Sequence, residues 1–196
     1  TINLFKEMKA AGEPIPMVTA YDYTTAKILE EAEIPLILVG DSLGQVILGY
    51  ETTVSVTMED ILHHSKAVIR GTQKIHVVAD MPFMSYQATT VEALRNAARL
   101  MKEGGVQSVK MEGGIDIATK VSTLVNTGIP VMGHIGGHRS LVGVIGVLIF
   151  LTGNQVGGIG KAGNQFLSLP TGISSTVIEV VMGIDHVLWF IAAKLP

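Results

Sequence analysis

Five short apolar runs in this chain each stop on a group able to do chemistry. They are Met17-Val18-Thr19-Ala20-Tyr21-Asp22, Ile37-Leu38-Val39-Gly40-Asp41-Ser42, His76-Val77-Val78-Ala79-Asp80, Ser108-Val109-Lys110-Met111-Glu112 and Val131-Met132-Gly133-His134. Short runs that are apolar throughout, not alternating, suit strands buried on both faces. The composition agrees: 47% of residues are hydrophobic and only 16% charged. Strands are expected over 17–20, 36–39, 75–79, 106–111 and 131–134.

Helical patterns lie between the runs. Residues 3–10 place Leu4, Phe5 and Met8 on one face, and Gly12 stops them. Asp22 can cap a helix over 23–32 with Ala26, Leu29 and Ala32 inward. Thr57-Met58-Glu59-Asp60 has the spacing of a capping box. It opens a helix that points Ile61, Val68 and Ile69 at the core and ends at Gly71. Thr90-Val91-Glu92 opens another, with Val91, Leu94, Ala98 and Met101 inward, closed by Gly104-Gly105. A further helix over 115–127 turns Ile117, Val121 and Leu124 inward, and Gly128 follows its end.

Strand–helix alternation at this spacing indicates a parallel sheet built of βα units. Polar groups at every strand end favour a (β/α)8 barrel, whose sites form at the C-terminal rim. A doubly wound sheet, which gathers its site at one switch point, is the competing arrangement. Beyond Gly136 the text changes. Residues 137–176 are glycine-rich and carry only Arg139 and Lys161 as charges. Residues 176–181 suit a sixth strand and 184–194 an apolar helix. The expectation is one α/β domain over 1–196, an incomplete barrel stopping after about six βα units, with 137–176 atypical.

Several classes are disfavoured. A net charge of -3 with no basic stripe argues against a nucleic-acid partner. The chain has no cysteine, hence no disulfide, thiolate metal site or cysteine nucleophile. The apolar run 141–151 has 11 residues and includes Gly143 and Gly146, against about 20 for a membrane span. The charged, amphipathic N-terminal segment does not read as a signal peptide, and a cytoplasmic protein without a membrane partner is expected.

Asp41 and Asp80 are hard oxygen donors at two strand ends and suit Mg²⁺, which accepts one or two carboxylates and keeps waters and substrate oxygens. Each can equally cap the helix that follows. Lys110 and Glu112, at i and i+2, face the same way; a buried pair of this kind serves a substrate or forms a structural ion pair. His134 can bind substrate or metal, or sit satisfied in the core. Ser42 can bind a substrate carboxylate or cap a turn. His63 and His64 read as surface residues. Glu179, a lone carboxylate in an apolar run, has the setting of a general base with a raised pKa, or of an idle rim residue.

Together these motifs resemble a known family. Thr19-Ala20-Tyr21-Asp22, Val39-Gly40-Asp41-Ser42-Leu43-Gly44, Gly49-Tyr50, Thr52-Thr53, Asp80-Met81-Pro82-Phe83 with Ser85-Tyr86, Lys110-Met111-Glu112-Gly113-Gly114 and Gly128-Ile129-Pro130-Val131-Met132-Gly133-His134-Ile135-Gly136 are similar, in order, to the 3-methyl-2-oxobutanoate hydroxymethyltransferases. The resemblance implies a barrel of the phosphoenolpyruvate/pyruvate superfamily, a homo-oligomer (a decamer in the family), and Mg²⁺ held by Asp41 and Asp80 with Glu112 nearby. It implies that a 2-oxo acid binds there with Ser42, Lys110 and His134 as further contacts. 5,10-Methylenetetrahydrofolate would be the one-carbon donor, and the product ketopantoate, for pantothenate and coenzyme A synthesis. Past Gly136 the family's Thr-Pro-Gln turn is replaced by Gly137-His138-Arg139-Ser140. Val177-Ile178-Glu179-Val180-Val181 matches the strand that carries the family's catalytic glutamate, so the base role falls to Glu179. Met84 stands where the family usually has glycine. A superfamily lyase or aldolase acting on an oxo acid, and an inactive truncated barrel, are the alternatives.

Overall fold

A computed structural model describes residues 2–135, 175–181 and 188–194. The elements run α1 (Ile2–Ala11), β1 (Met17–Thr19), α2 (Tyr23–Glu31), β2 (Leu36–Val39), α3 (Leu43–Val46), α4 (Met58–Gly71), β3 (His76–Asp80), α5 (Thr90–Lys102), β4 (Ser108–Glu112), α6 (Ile115–Asn126), β5 (Val131–Ile135), β6 (Ser175–Val181) and β7 (Leu188–Lys194). A single 3₁₀ turn, Thr53–Ser55, precedes α4.

The first five strands are parallel and lie side by side in chain order. A doubly wound sheet reverses direction after an inner strand, and this one does not. The order is that of a barrel wall wound one βα unit at a time.

The helix ends are set by the expected residues. Asp22 Oδ1 accepts the Thr25 N–H at 2.8 Å. Thr57 and Asp60 exchange a full capping box, with Asp60 N–H donating to Thr57 Oγ1 at 3.1 Å and Thr57 N–H to Asp60 Oδ2 at 2.9 Å. Gly12 and Gly128 take φ of 70° and 91° where α1 and α6 end, conformations that disfavour a side chain.

Alternation along the strands separates two cores. Ile37, Val39, Val77, Ala79, Val109, Met111 and Val131 pack under the helices. Leu36, Leu38, Val78 and Met132 face the other way and pack with Phe5, Ile15 and Met17. This second, inner face is apolar near the strand starts, where α1 covers it. It becomes polar at the strand ends, where Asp80 and Lys110 lie two residues beyond Val78 and Ser108.

His76 is the exception at the closed end. It is buried, its Nε2 lies 2.8 Å from Ser108 Oγ, and its ring meets Phe5 edge-on at 5.2 Å. Burial depresses its pKa to about 4. A folded pKa below the unfolded value of about 6.5 means that the unfolded chain binds the extra proton first. The neutral ring thus contributes stability that is complete above about pH 6.5 and is lost as pH falls toward 4. Urea unfolding should show about 2 kcal/mol less stability at pH 4.5 than at pH 7 from this group. The His76→Gln variant should show a flatter pH dependence; an unchanged one would remove His76 as its source.

The structure departs from the sequence expectations in several places, among them Ala32, which follows α2 and is exposed, not inward. Of the run expected to be helical over 184–194, residues 188–194 form β7 instead, and 184–187 lie outside the described residues. A short apolar segment is compatible with either state, and here Leu188-Trp189-Phe190-Ile191 pairs along both β5 and β6. The sixth strand exists as β6, but it is antiparallel to β7, which separates it from β5. In α5 the buried stripe is Ala93, Ala97 and Leu100, while Val91 is exposed. A one-turn helix, α3, follows Ser42 where a loop was expected. The atypical stretch lies, up to residue 174, outside the described residues.

Candidate functional site

β2, β3 and β4 end side by side, so their terminal residues share one rim. Asp80, last in β3, is opposite Lys110 in β4. Lys110 Nζ donates to Asp80 Oδ1 in a close ion pair, with the residues 5% and 6% exposed. Asp80 Oδ2 accepts the Asp41 backbone N–H at 3.0 Å, drawing the loop after β2 onto β3. Gly40 allows this approach. A Cβ there would stand 2.8 Å from Ser42 Oγ and 3.3 Å from Asp80 Oδ2, tighter than the site can absorb without moving both groups.

Burial raises the pKa of the Asp41 carboxyl, and the neighbouring Asp80 charge adds to the shift. Lys110 and a hydrogen bond with Thr53 oppose it. Two carboxylates therefore crowd one partly desolvated spot that a single lysine does not fully neutralise. Among the described residues no three His, Asp or Glu side chains gather to hold a metal ion. Mg²⁺ does not need three; two carboxylates with water and substrate oxygens suffice, and the crowding at Asp41 is what a cation would relieve. The donor set fits Mg²⁺ on those terms.

Ser42 is engaged from the first strand's loop: Tyr21 Oη lies 2.7 Å from Ser42 Oγ. The Tyr21 carbonyl is in turn 2.7 Å from His64 Nδ1. His64 is thus half-buried and bonded, correcting its reading as a surface residue; His63 is exposed. Glu112 is opposite His134 across β4 and β5, and its Oε2 lies 3.2 Å from His134 Nδ1. Its side chain is 50% exposed. The structure thus joins Glu112 to His134, and Asp41 to Asp80 and Lys110.

Glu179 lies in β6, opposite Phe190 of β7, which is opposite Gly133 of β5. Gly133 is opposite Met111, in the helix-side layer, one position off the row in which Lys110 is opposite Met132. The register therefore does not bring Glu179 into the row of Lys110. Sequence reasoning gave Tyr21, Thr53 and Tyr86 no role of their own, although all three stand in motifs. A lone hydroxyl names no distant partner in sequence. Met84 adopts a φ of 64°, a left-handed conformation that glycine takes up more readily than a residue with a side chain.

The family model for ketopantoate hydroxymethyltransferase matches residues 1–181. The chain belongs to this family. A 3-methyl-2-oxobutanoate hydroxymethyltransferase of Dehalococcoides mccartyi (strain ATCC BAA-2266 / KCTC 15142 / 195) is 63% identical over 136 residues, covering 69% of this chain and 48% of that protein. One from Carboxydothermus hydrogenoformans is 59% identical over 146 residues, 74% of this chain and 53% of that protein. The chain spans about half the length of the curated relatives it matches. A crystal structure of oxaloacetate acetylhydrolase aligns with 63% of this chain and 46% of its own at 13% identity and a TM-score of 0.49. Among the described residues no helix is long and apolar enough to cross a membrane.

Proposed function

We propose that this hydroxymethyltransferase-family chain binds 3-methyl-2-oxobutanoate at the Asp41–Asp80–Lys110 rim and joins to its C3 the one-carbon unit of 5,10-methylenetetrahydrofolate, with water supplying the new hydroxyl and tetrahydrofolate leaving, to give ketopantoate. The observation that carries the reading is the buried Lys110–Asp80 pair, held against the Asp41 backbone at the strand ends. A cation at the end of an apolar strand faces the place where negative charge must develop. When C3 loses its proton, that charge moves to the 2-oxo oxygen, and the Lys110 ammonium stabilises it. Ser42, whose hydroxyl is fixed by Tyr21, receives the substrate carboxylate. Asp41 and Asp80 would hold Mg²⁺, which supplies Lewis-acid polarisation of the carbonyl when bound. The Glu112–His134 pair borders the same rim. In this reading the protein works as a homo-oligomer in the cytoplasm.

The C3 proton is assigned to Glu179 on its place in the sequence, 45 residues beyond His134. Loss of a positioned base typically costs 10²–10⁴-fold. The Glu179→Gln variant should therefore lower kcat about a thousandfold with the KM for the oxo acid within a few-fold of wild type. Full turnover in that variant would remove Glu179 as the base. Turnover of an oxo acid without the folate would instead favour a lyase or aldolase.

A further inference from the structure

β3 leaves the sheet one residue too early for β4. In a parallel ladder, alternate residues send both backbone groups to the same neighbour. The Lys110 carbonyl accepts the Met81 N–H at 2.9 Å, so Lys110, and with it Glu112, faces β3. Had β3 continued, Glu112 N–H would meet the Met81 carbonyl and Glu112 C=O the Phe83 N–H. The chain turns instead at Pro82, closed by Ser85 N–H on the Pro82 carbonyl at 3.0 Å.

The Tyr86 hydroxyl occupies the vacated side. It accepts the Glu112 N–H at 3.1 Å and donates to the Glu112 carbonyl at 2.7 Å. One side-chain group thus reproduces both bonds of the missing strand residue. Tyr86 itself is buried, and burial pushes its pKa up to about 12, which keeps the phenol protonated as the donation requires. Its loop is tied down on both sides. Asn96 Nδ2 of α5 donates to the Ser85 carbonyl at 2.7 Å, and Lys120 Nζ of α6 to the Gln87 carbonyl at 2.9 Å.

We propose that Tyr86 is a positioning residue for the oxo-acid site: its hydroxyl extends the edge of β3 past Asp80 and so holds the Glu112 peptide, and the Glu112–His134 pair, in register with Asp80 and Lys110. The same seven-residue span thus carries a carboxylate of the site at one end and the clamp on its neighbour at the other. The catalytic part of this inference rests on the function proposed above; the clamp itself does not.

The test is Tyr86→Phe in the full chain, which keeps the ring and removes only the hydroxyl. Two readouts separate positioning from plain stability. Amide hydrogen exchange at Glu112 should quicken about tenfold, while Val109, whose N–H is bonded toward β5, should not change. kcat should fall about tenfold, with the KM for the folate within twofold and the melting temperature within about 3 °C of wild type. An unchanged Glu112 amide overturns the clamp. A freed amide with unchanged kcat overturns its role in positioning. Failure of the functional reading looks different: the wild type itself forms no ketopantoate, and the Glu112 exchange rate then decides the clamp alone.

Discussion

Replacing Lys110 with methionine should destabilise the protein by about 3–5 kcal/mol, because it leaves Asp80 buried without its cation. Asp80 and Lys110 are both almost fully enclosed, so water cannot take over as it does for a surface pair. For a domain of this size, each kcal/mol shifts the melting temperature by about 2–4 °C, and the loss should be plain in a thermal scan. The partner variant tells whether charge is the cause. In Lys110→Met combined with Asp80→Asn, neither buried charge remains, and most of the lost stability should return. Activity should not return with it. In the proposed function the ammonium is the donor aimed at the oxygen where charge develops, and removing such a group costs about 10²–10³ in kcat. A double variant that regains stability and stays inactive separates the two roles of Lys110; one that regains both would reduce it to a structural ion pair.

Asp41→Asn should have opposite effects on stability and on function. The Asp41 pKa is raised by burial and by the Asp80 charge. A carboxyl whose folded pKa exceeds its unfolded value is bound to its proton more tightly in the native state. Its contribution is therefore most favourable below the unfolded pKa and becomes a cost as pH rises through the folded one. At neutral pH, without metal, the ionised Asp41 destabilises the fold. The neutral amide should raise stability by about 1 kcal/mol, or about 2–4 °C in melting temperature. The same change removes one of two carboxylates offered to Mg²⁺. Wild type should gain about 2.7 kcal/mol at a Mg²⁺ concentration a hundred times its Kd, and the variant should gain almost nothing. A variant less stable than wild type without metal, or equally stabilised by Mg²⁺, would contradict the crowding of Asp41 and Asp80 as the origin of the site.

Much of this was legible in the sequence because the wall and the rim are written in local terms. Each of the first five strands is a short apolar run, and α2 and α4 start at the capping residues that the sequence offers, Asp22 and Thr57. The convergence of Asp41, Asp80 and Lys110 followed from strand ends sharing an edge. What stayed hidden depends on contacts between distant residues. The run ending at Lys194 is apolar in either state, and only pairing with β5 and β6 decides for a strand. The α5 stripe turned by one position because two alanines and a leucine, not Val91, fit against β4. The hydroxyls of Tyr21 and Tyr86 meet Ser42 and Glu112 across 21 and 26 residues, a distance at which no spacing rule applies. Glu179 marks the other limit: its neighbours in sequence fit the catalytic strand, while its register places it in the row of Gly133.

The most direct test is proton exchange at C3 of 3-methyl-2-oxobutanoate in D₂O, followed by proton NMR without any folate. If the rim binds the oxo acid through Asp41, Asp80 and Lys110 and loosens its C3–H bond, the C3 proton signal should disappear when protein and Mg²⁺ are both present. It should persist when either is omitted or when Lys110 is methionine. An oxo acid that binds with Mg²⁺ yet keeps its C3 proton would contradict the account.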